Sequence, residues 1–146
     1  MGNLRYFTLE QANDMLPTLE VRFTQVMQLR AQLRTVYQQL EEAGESPTPD
    51  SLMRRDGDPH IVTLRGRFRA LAEALAEEVS VIEELGVAIK DLDTGLCDFL
   101  GEREGRDVWL CWRLGEKQVA HWHELDDGFS GRQPLAEGRM SERLLH

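Results

Sequence analysis

Leu16, Leu19, Phe23, Val26, Arg30, Leu33, Tyr37 and Leu40 follow one another at alternating spacings of three and four residues. That period lays one apolar stripe along one side of a helix, and a helix so striped must cover it. Thr8 and Gln11 form a capping-box pattern ahead of the run, with Glu10 and Asp14 suited to the positive end of the helix dipole, so the helix is predicted to begin at Leu9. Pro17 cannot donate to the carbonyl four residues back. The pattern therefore predicts a short helix over 9–15 and a long one over 17–43, with Gly44 just past its end.

Residues 44–58 are rich in Gly, Pro, Ser and Asp and read as a solvated loop. Asp58-Pro59 then has the form of an N-cap followed by proline at the first helical position. The second helix is predicted over 59–85, stopping at Gly86, with a stripe of Leu64, Phe68, Leu71, Ala72, Leu75, Val79, Ile82 and Leu85. Gly66 weakens it by about 1 kcal/mol relative to alanine. Neither helix is stable alone in water, so an antiparallel hairpin is expected. A two-helix layer leaves part of each stripe wet, which calls for a further partner: the sheet, a second copy of the chain, or both. Two hairpins back to back make a four-helix bundle. Arg30 in the first stripe either pairs with Glu78 beside the second or snorkels to the edge of the seam.

After Gly86 the period changes from helical to alternating. Strands are predicted at Val87–Lys90 and Leu96–Phe99, separated by the turn Asp91–Gly95; 100–106 reads as a charged loop. Asp107–Leu114 and Gln118–Glu124 form the strongest predicted hairpin, joined by Gly115-Glu116-Lys117. That turn length sets Arg113 opposite Val119, Cys111 opposite His121 and Trp109 opposite His123. Val108, Leu110, Trp112, Leu114, Ala120 and Trp122 then share an apolar face toward the helices. Trp109, Cys111, Arg113, Val119, His121 and His123 share the other face. In the turn-rich tail Phe129 and Leu135 are expected to anchor on the core, and residues 136–146 to fray.

Charge narrows the partners. Seventeen Lys and Arg stand against 26 Asp and Glu, a net −9, which argues against a chain held to a phosphate backbone or an anionic membrane. Arg54, Arg55, Arg65, Arg67 and Arg69 form a local basic cluster, which reads as a solvated tip or a docking site for an acidic protein surface; nucleic acid is not expected. There is no apolar run long enough for a membrane span, the opening lacks the order of a secretory signal, and two cysteines make no disulfide framework. A reducing cytoplasm is the expected compartment.

Cys111, His121 and His123 on one strand face are the sharpest candidate for chemistry. A cross-strand neighbour plus an i,i+2 pair can aim three zinc-type ligands at one point, with Cys97, Asp98 or water as a fourth. The bland alternative is a buried cysteine beside histidines bonded to carboxylates such as Asp126. Arg113, Glu116, Asp126 and Arg132 form a polar cluster around the same hairpin, and His123 with Asp126 could act as an acid–base pair. Asp91, Asp93 and Asp98 suggest a cation loop, but the glycine is out of phase for one, and a capped turn is expected instead.

Several stretches resemble one known family: Tyr6 to Asn13 with Leu16-Pro17, Leu85-Gly86-Val87 through Lys90-Asp91, Gly95-Leu96 and Asp98-Phe99, Cys111 to Glu116, Trp122-His123, Gly128-Phe129 and Gly131-Arg132. The family is the bacterial one known as domain of unknown function 2203. Trp122-His123 belongs to its pattern and His121 is less typical of it. The resemblance implies a compact bacterial cytoplasmic protein and no particular activity, substrate or cofactor. The expectation is thus an α+β fold in one domain over 1–146: a helical hairpin at 9–85, a β-meander at 87–124 and a tail at 125–146. The leading functional expectation is a non-catalytic assembly module, a homodimer through its helices. The rival is a metal-binding protein or metal-dependent enzyme, with zinc as the ion.

Overall fold

The computed structural model describes residues 4–135. Long helices and a five-stranded antiparallel sheet make the fold α+β. The chain contacts group it into two compact units, one drawn from Met1–Phe23 and Ser80–His146, the other Thr24–Val79.

Helix α1 runs unbroken over Leu9–Glu42 with Pro17 inside it. The two helices expected on either side of Pro17 are one. Pro17 forfeits one hydrogen bond, but it is exposed, while Ala12, Leu16 and Leu19 on either side of it are buried on a common face. The capping box is as predicted: Thr8 N–H donates to Gln11 Oε1 and Gln11 N–H to Thr8 Oγ1, both at 3.0 Å.

In the sheet unit β1 is Ala88–Asp91, β2 Leu96–Arg103, β3 Arg106–Arg113, β4 His121–Glu124 and β5 Gln133–Pro134, hydrogen-bonded in that order. The expected charged loop at 100–106 is instead the tip of a long β2–β3 hairpin, paired out to Arg103 opposite Arg106. Its turn has two residues, Glu104 and Gly105, at φ 52° and 79°. Positive φ at both central positions is what a type I′ hairpin requires. The register expected for β3 and β4 is the one observed where they pair, with Trp109 opposite His123 and Cys111 opposite His121. Val119 leaves that ladder because its N–H donates to Asn13 Oδ1 of α1 at 2.7 Å, so β4 starts at His121 rather than Gln118. Cys97, Phe99, Val108, Leu110, Trp112 and Trp122 form the buried apolar face. Phe23 of α1 lies against Trp112 and Phe7 against Phe99, at centroid distances of 6.3 and 5.1 Å.

The turn between β1 and β2 is a capped one: Asp91 accepts from Asp93 N–H at 3.1 Å and from Thr94 Oγ1 at 2.9 Å. Phe129 is no core anchor. It starts a single turn of 3₁₀ helix, Phe129–Gly131, and is part exposed under two guanidiniums. The expectation for 136–146 lies outside the described residues.

In the helical unit Val36 and Leu40 pack with Leu64, flanked by Leu52, Ile61 and Phe68. On α1 the buried residues here are Val26, Leu29, Val36 and Leu40, so Val26 and Leu40 keep the strict heptad while Arg30 and Tyr37 give way to positions one residue earlier, about 100° round the helix. Which side of a helix is buried depends on what each half packs on, and a sequence period does not carry that. The predicted loop contains a short helix α2, Pro49–Met53, with its own capping box from Thr48 and Ser51. Helix α3 spans Pro59–Glu84, its first turn capped by Asp58, which accepts from His60 N–H at 2.7 Å. Arg65 is not a solvated charge. Its side chain is 3% exposed, bonds both oxygens of Glu45 at 2.7 Å, and donates to the carbonyls of Arg54 and Asp56. Arg69 bonds the carbonyl of Leu52 and Arg54 pairs with Asp56, so much of the basic cluster closes its own connecting segment. Among the described residues no helix is long and apolar enough to cross a membrane.

Candidate metal centre

Antiparallel pairing sets Asp98 of β2 opposite Cys111 of β3, and Cys111 opposite His121 of β4. Residues directly opposite share a face. Asp98, Cys111 and His123 therefore project from the side of the sheet away from Trp112. Their carboxylate, thiol and imidazole donor atoms all lie within 4.8 Å of one another. The three residues are 2%, 0% and 3% exposed. A shared tetrahedral ion at about 2.0–2.3 Å would hold such donors about 3.3–3.6 Å apart, so no pair closes by more than about 1.5 Å, while His123 Nε2 and Asp98 Oδ2 open from 2.9 Å.

Hydrogen bonds fix the orientation of His123. His123 Nδ1 lies 2.9 Å from the Glu124 carbonyl, which can only accept, so Nδ1 carries the proton. Nε2 is 2.9 Å from Asp98 Oδ2. In the neutral ring Nε2 offers only a lone pair, and so does the carboxylate. At this separation a proton has to stand between them; a tetrahedral ion in its place would spread the two atoms to about 3.3 Å. Asp98 Oδ1 is buried with no hydrogen-bond partner among the described residues. Burial raises the Asp98 carboxyl above its ordinary range and pushes the Cys111 thiol up to about 12, with Asp98 adding to the latter.

A cavity of about 270 Å³ opens onto this cluster. Asp98, Cys111 and His123 line it together with Leu96, Lys90 and the turn Asp127-Gly128-Phe129. Lys90 is the extra residue of a β-bulge, since Ile89 pairs with Cys97 and Asp91 already with Leu96. Its ammonium lies 4.6 Å from the centroid of Trp109.

Residues 5–135 match the model of a family described as an uncharacterized conserved protein, DUF2203. The chain belongs to this family. No curated protein and no solved structure matches the chain. The span that matches DUF2203 includes every residue of the cluster and of the cavity wall.

His121 stands apart from the cluster. Arg132 donates to its Nδ1, and burial followed by the charge of Arg132 holds its pKa below the ordinary value. Arg132 also pairs with Glu116 Oε2 at 2.7 Å, and Glu116 Oε1 accepts the N–H of Arg113 at 2.9 Å. Arg113 and Arg132 both stand over the ring of Phe129. Of the expected polar cluster, Arg113, Glu116 and Arg132 thus come together, while Asp126 is exposed on the turn after β4. The partner of His123 is Asp98, not Asp126. Cys97 faces the apolar side with Trp112, whereas Cys111 pairs across from Asp98, so the two thiols point to opposite faces and both are free.

Proposed function

We propose that this chain binds one zinc-like divalent ion through Asp98, Cys111 and His123, with a fourth position turned to the cavity. The observation that carries the reading is the convergence of three buried donors, one carboxylate, one thiol and one imidazole, within 4.8 Å of one another. The mixed O, S and N set suits zinc better than calcium or magnesium, which prefer oxygen throughout. A Cys–His nucleophile fits less well. Both ring nitrogens of His123 are engaged, and a thiol pushed up to about 12 is not a thiolate near neutrality. Three protein ligands and an accessible fourth position is the pattern of an ion that polarises what binds it. Elemental analysis of protein purified without an affinity tag tests this. About one zinc per chain is expected, falling to near zero in Cys111→Ser and His123→Ala with the fold retained by circular dichroism. Metal-free protein from zinc-replete growth would overturn it.

A second reading rests on the helical unit. Phe68, Leu71, Ala72, Leu75 and Val79 are only half buried, and Tyr37 is 41% exposed. Tyr37, Phe68 and Leu75 line an apolar groove with Leu33, edged by Arg30 and Arg34, one turn apart. Glu73 and Glu77, also one turn apart, are exposed on α3. A second copy of the chain therefore brings both apolar surface and opposite charge to this groove. Light scattering at tens of micromolar is expected to give a dimer that Leu75→Glu dissociates, and a monomer at every concentration would remove this reading.

A further inference from the structure

We infer that the cavity beside the three donors takes a small monocarboxylate, one oxygen completing the metal's coordination and the other reaching the Lys90 ammonium. This rests on the metal reading above and goes beyond it in naming the ligand. Four features lead there. The cavity meets all three donors, so a ligand within it reaches the fourth position directly. The β-bulge turns Lys90 onto the cavity wall, where it is the one cation among the lining residues. Bulges re-aim side chains in this way beside binding sites. Leu96 and Phe129 make the remaining wall apolar, which fits a short hydrocarbon tail.

Asp127 supplies the fourth feature, and it sets the charge. It lines the same cavity from the turn after β4. With a divalent ion held by a carboxylate and a thiolate, the ion's charge is already cancelled. Lys90 and Asp127 also sum to zero, so one incoming negative charge, met by Lys90, leaves the site at −1, and Asp127 repels a second. A dicarboxylate or a phosphate dianion is thereby disfavoured. The volume, about 270 Å³, lies below the range of drug-sized pockets and bounds the ligand to a small free molecule.

Cobalt(II) tests both layers separately, because thiolate-bound cobalt(II) absorbs in the visible. The protein is loaded with cobalt(II) and titrated with propionate, then with succinate. The expected result is a saturable spectral change with propionate, at least about tenfold tighter than with succinate. Lys90→Gln, at an exposed position, is expected to weaken propionate about tenfold while leaving cobalt(II) binding intact. Asp127→Asn is expected to narrow the gap between the two acids. Cobalt(II) that binds with its thiolate band but shows no response to propionate would overturn the carboxylate site and leave the metal site standing. Equal binding of the two acids by the unaltered protein would overturn the selectivity for one charge. Failure to bind cobalt(II) at all would remove both readings.

Discussion

His121 and His123 sit two residues apart on β4 and meet different neighbours. The Nδ1 of His121 takes a hydrogen bond from Arg132, while His123 is clamped between the Glu124 carbonyl and Asp98. The alternation of the strand puts both on the face of Cys111, but it gives parity and not the aim of a side chain. Asp98 is less legible in the sequence. Its signal is a carboxylate inside the apolar run Leu96-Cys97-Asp98-Phe99-Leu100, and its place opposite Cys111 depends on a strand pairing that the turn after β3 does not reveal. The two histidines are therefore expected to separate by mutation. His121→Ala should leave metal affinity within about twofold, whereas His123→Ala should lower it a hundredfold or more, as loss of a direct ligand does. Competition against a zinc-sensitive dye measures both.

At the scale of elements, the sequence was most readable where caps and turns act locally. The capping box at Thr8, the N-cap at Asp58 and the register of β3 with β4 all follow from short patterns. The β2–β3 hairpin did not, because Glu102, Arg103, Glu104 and Arg106 make its tip look like solvent-facing loop and Glu-Gly is an uncommon type I′ pair. A glutamate held at φ 52° carries a penalty of about 1–2 kcal/mol that asparagine partly escapes. Glu104→Asn is expected to stabilise the fold by about 0.5–1 kcal/mol, read from the shift of a urea midpoint. The helical tip has its own pH signature. Arg65 holds the Glu45 carboxyl below its ordinary value, so the pair contributes stability above that value and loses it as pH falls through the lowered one. Glu45→Gln should thus melt lower than the parent protein at about pH 7 and no lower at about pH 3. Arg65→Lys should not restore the parent stability, because an ammonium cannot replace a fork that meets two carboxylate oxygens and two carbonyls at once.

For the molecule as a whole, the two striped helices and the change to an alternating period after Gly86 give the α+β class correctly, and the family match over residues 5–135 agrees with the resemblance carried by the sequence motifs. What the stripes could not give is which side of α1 is covered in each half, since Leu29 and Val36 replace Arg30 and Tyr37 only once a particular neighbour is in place. The same holds for the chemistry: three chain segments meet at one cavity through pairings of β2, β3 and β4, and that meeting is a property of the sheet. X-ray absorption at the metal edge of zinc-loaded protein tests it most directly. The expected spectrum has one sulfur at about 2.3 Å and nitrogen or oxygen neighbours at about 2.0–2.2 Å, with the sulfur lost in Cys111→Ser. A first shell of nitrogen and oxygen alone in the unaltered protein would contradict the proposed centre.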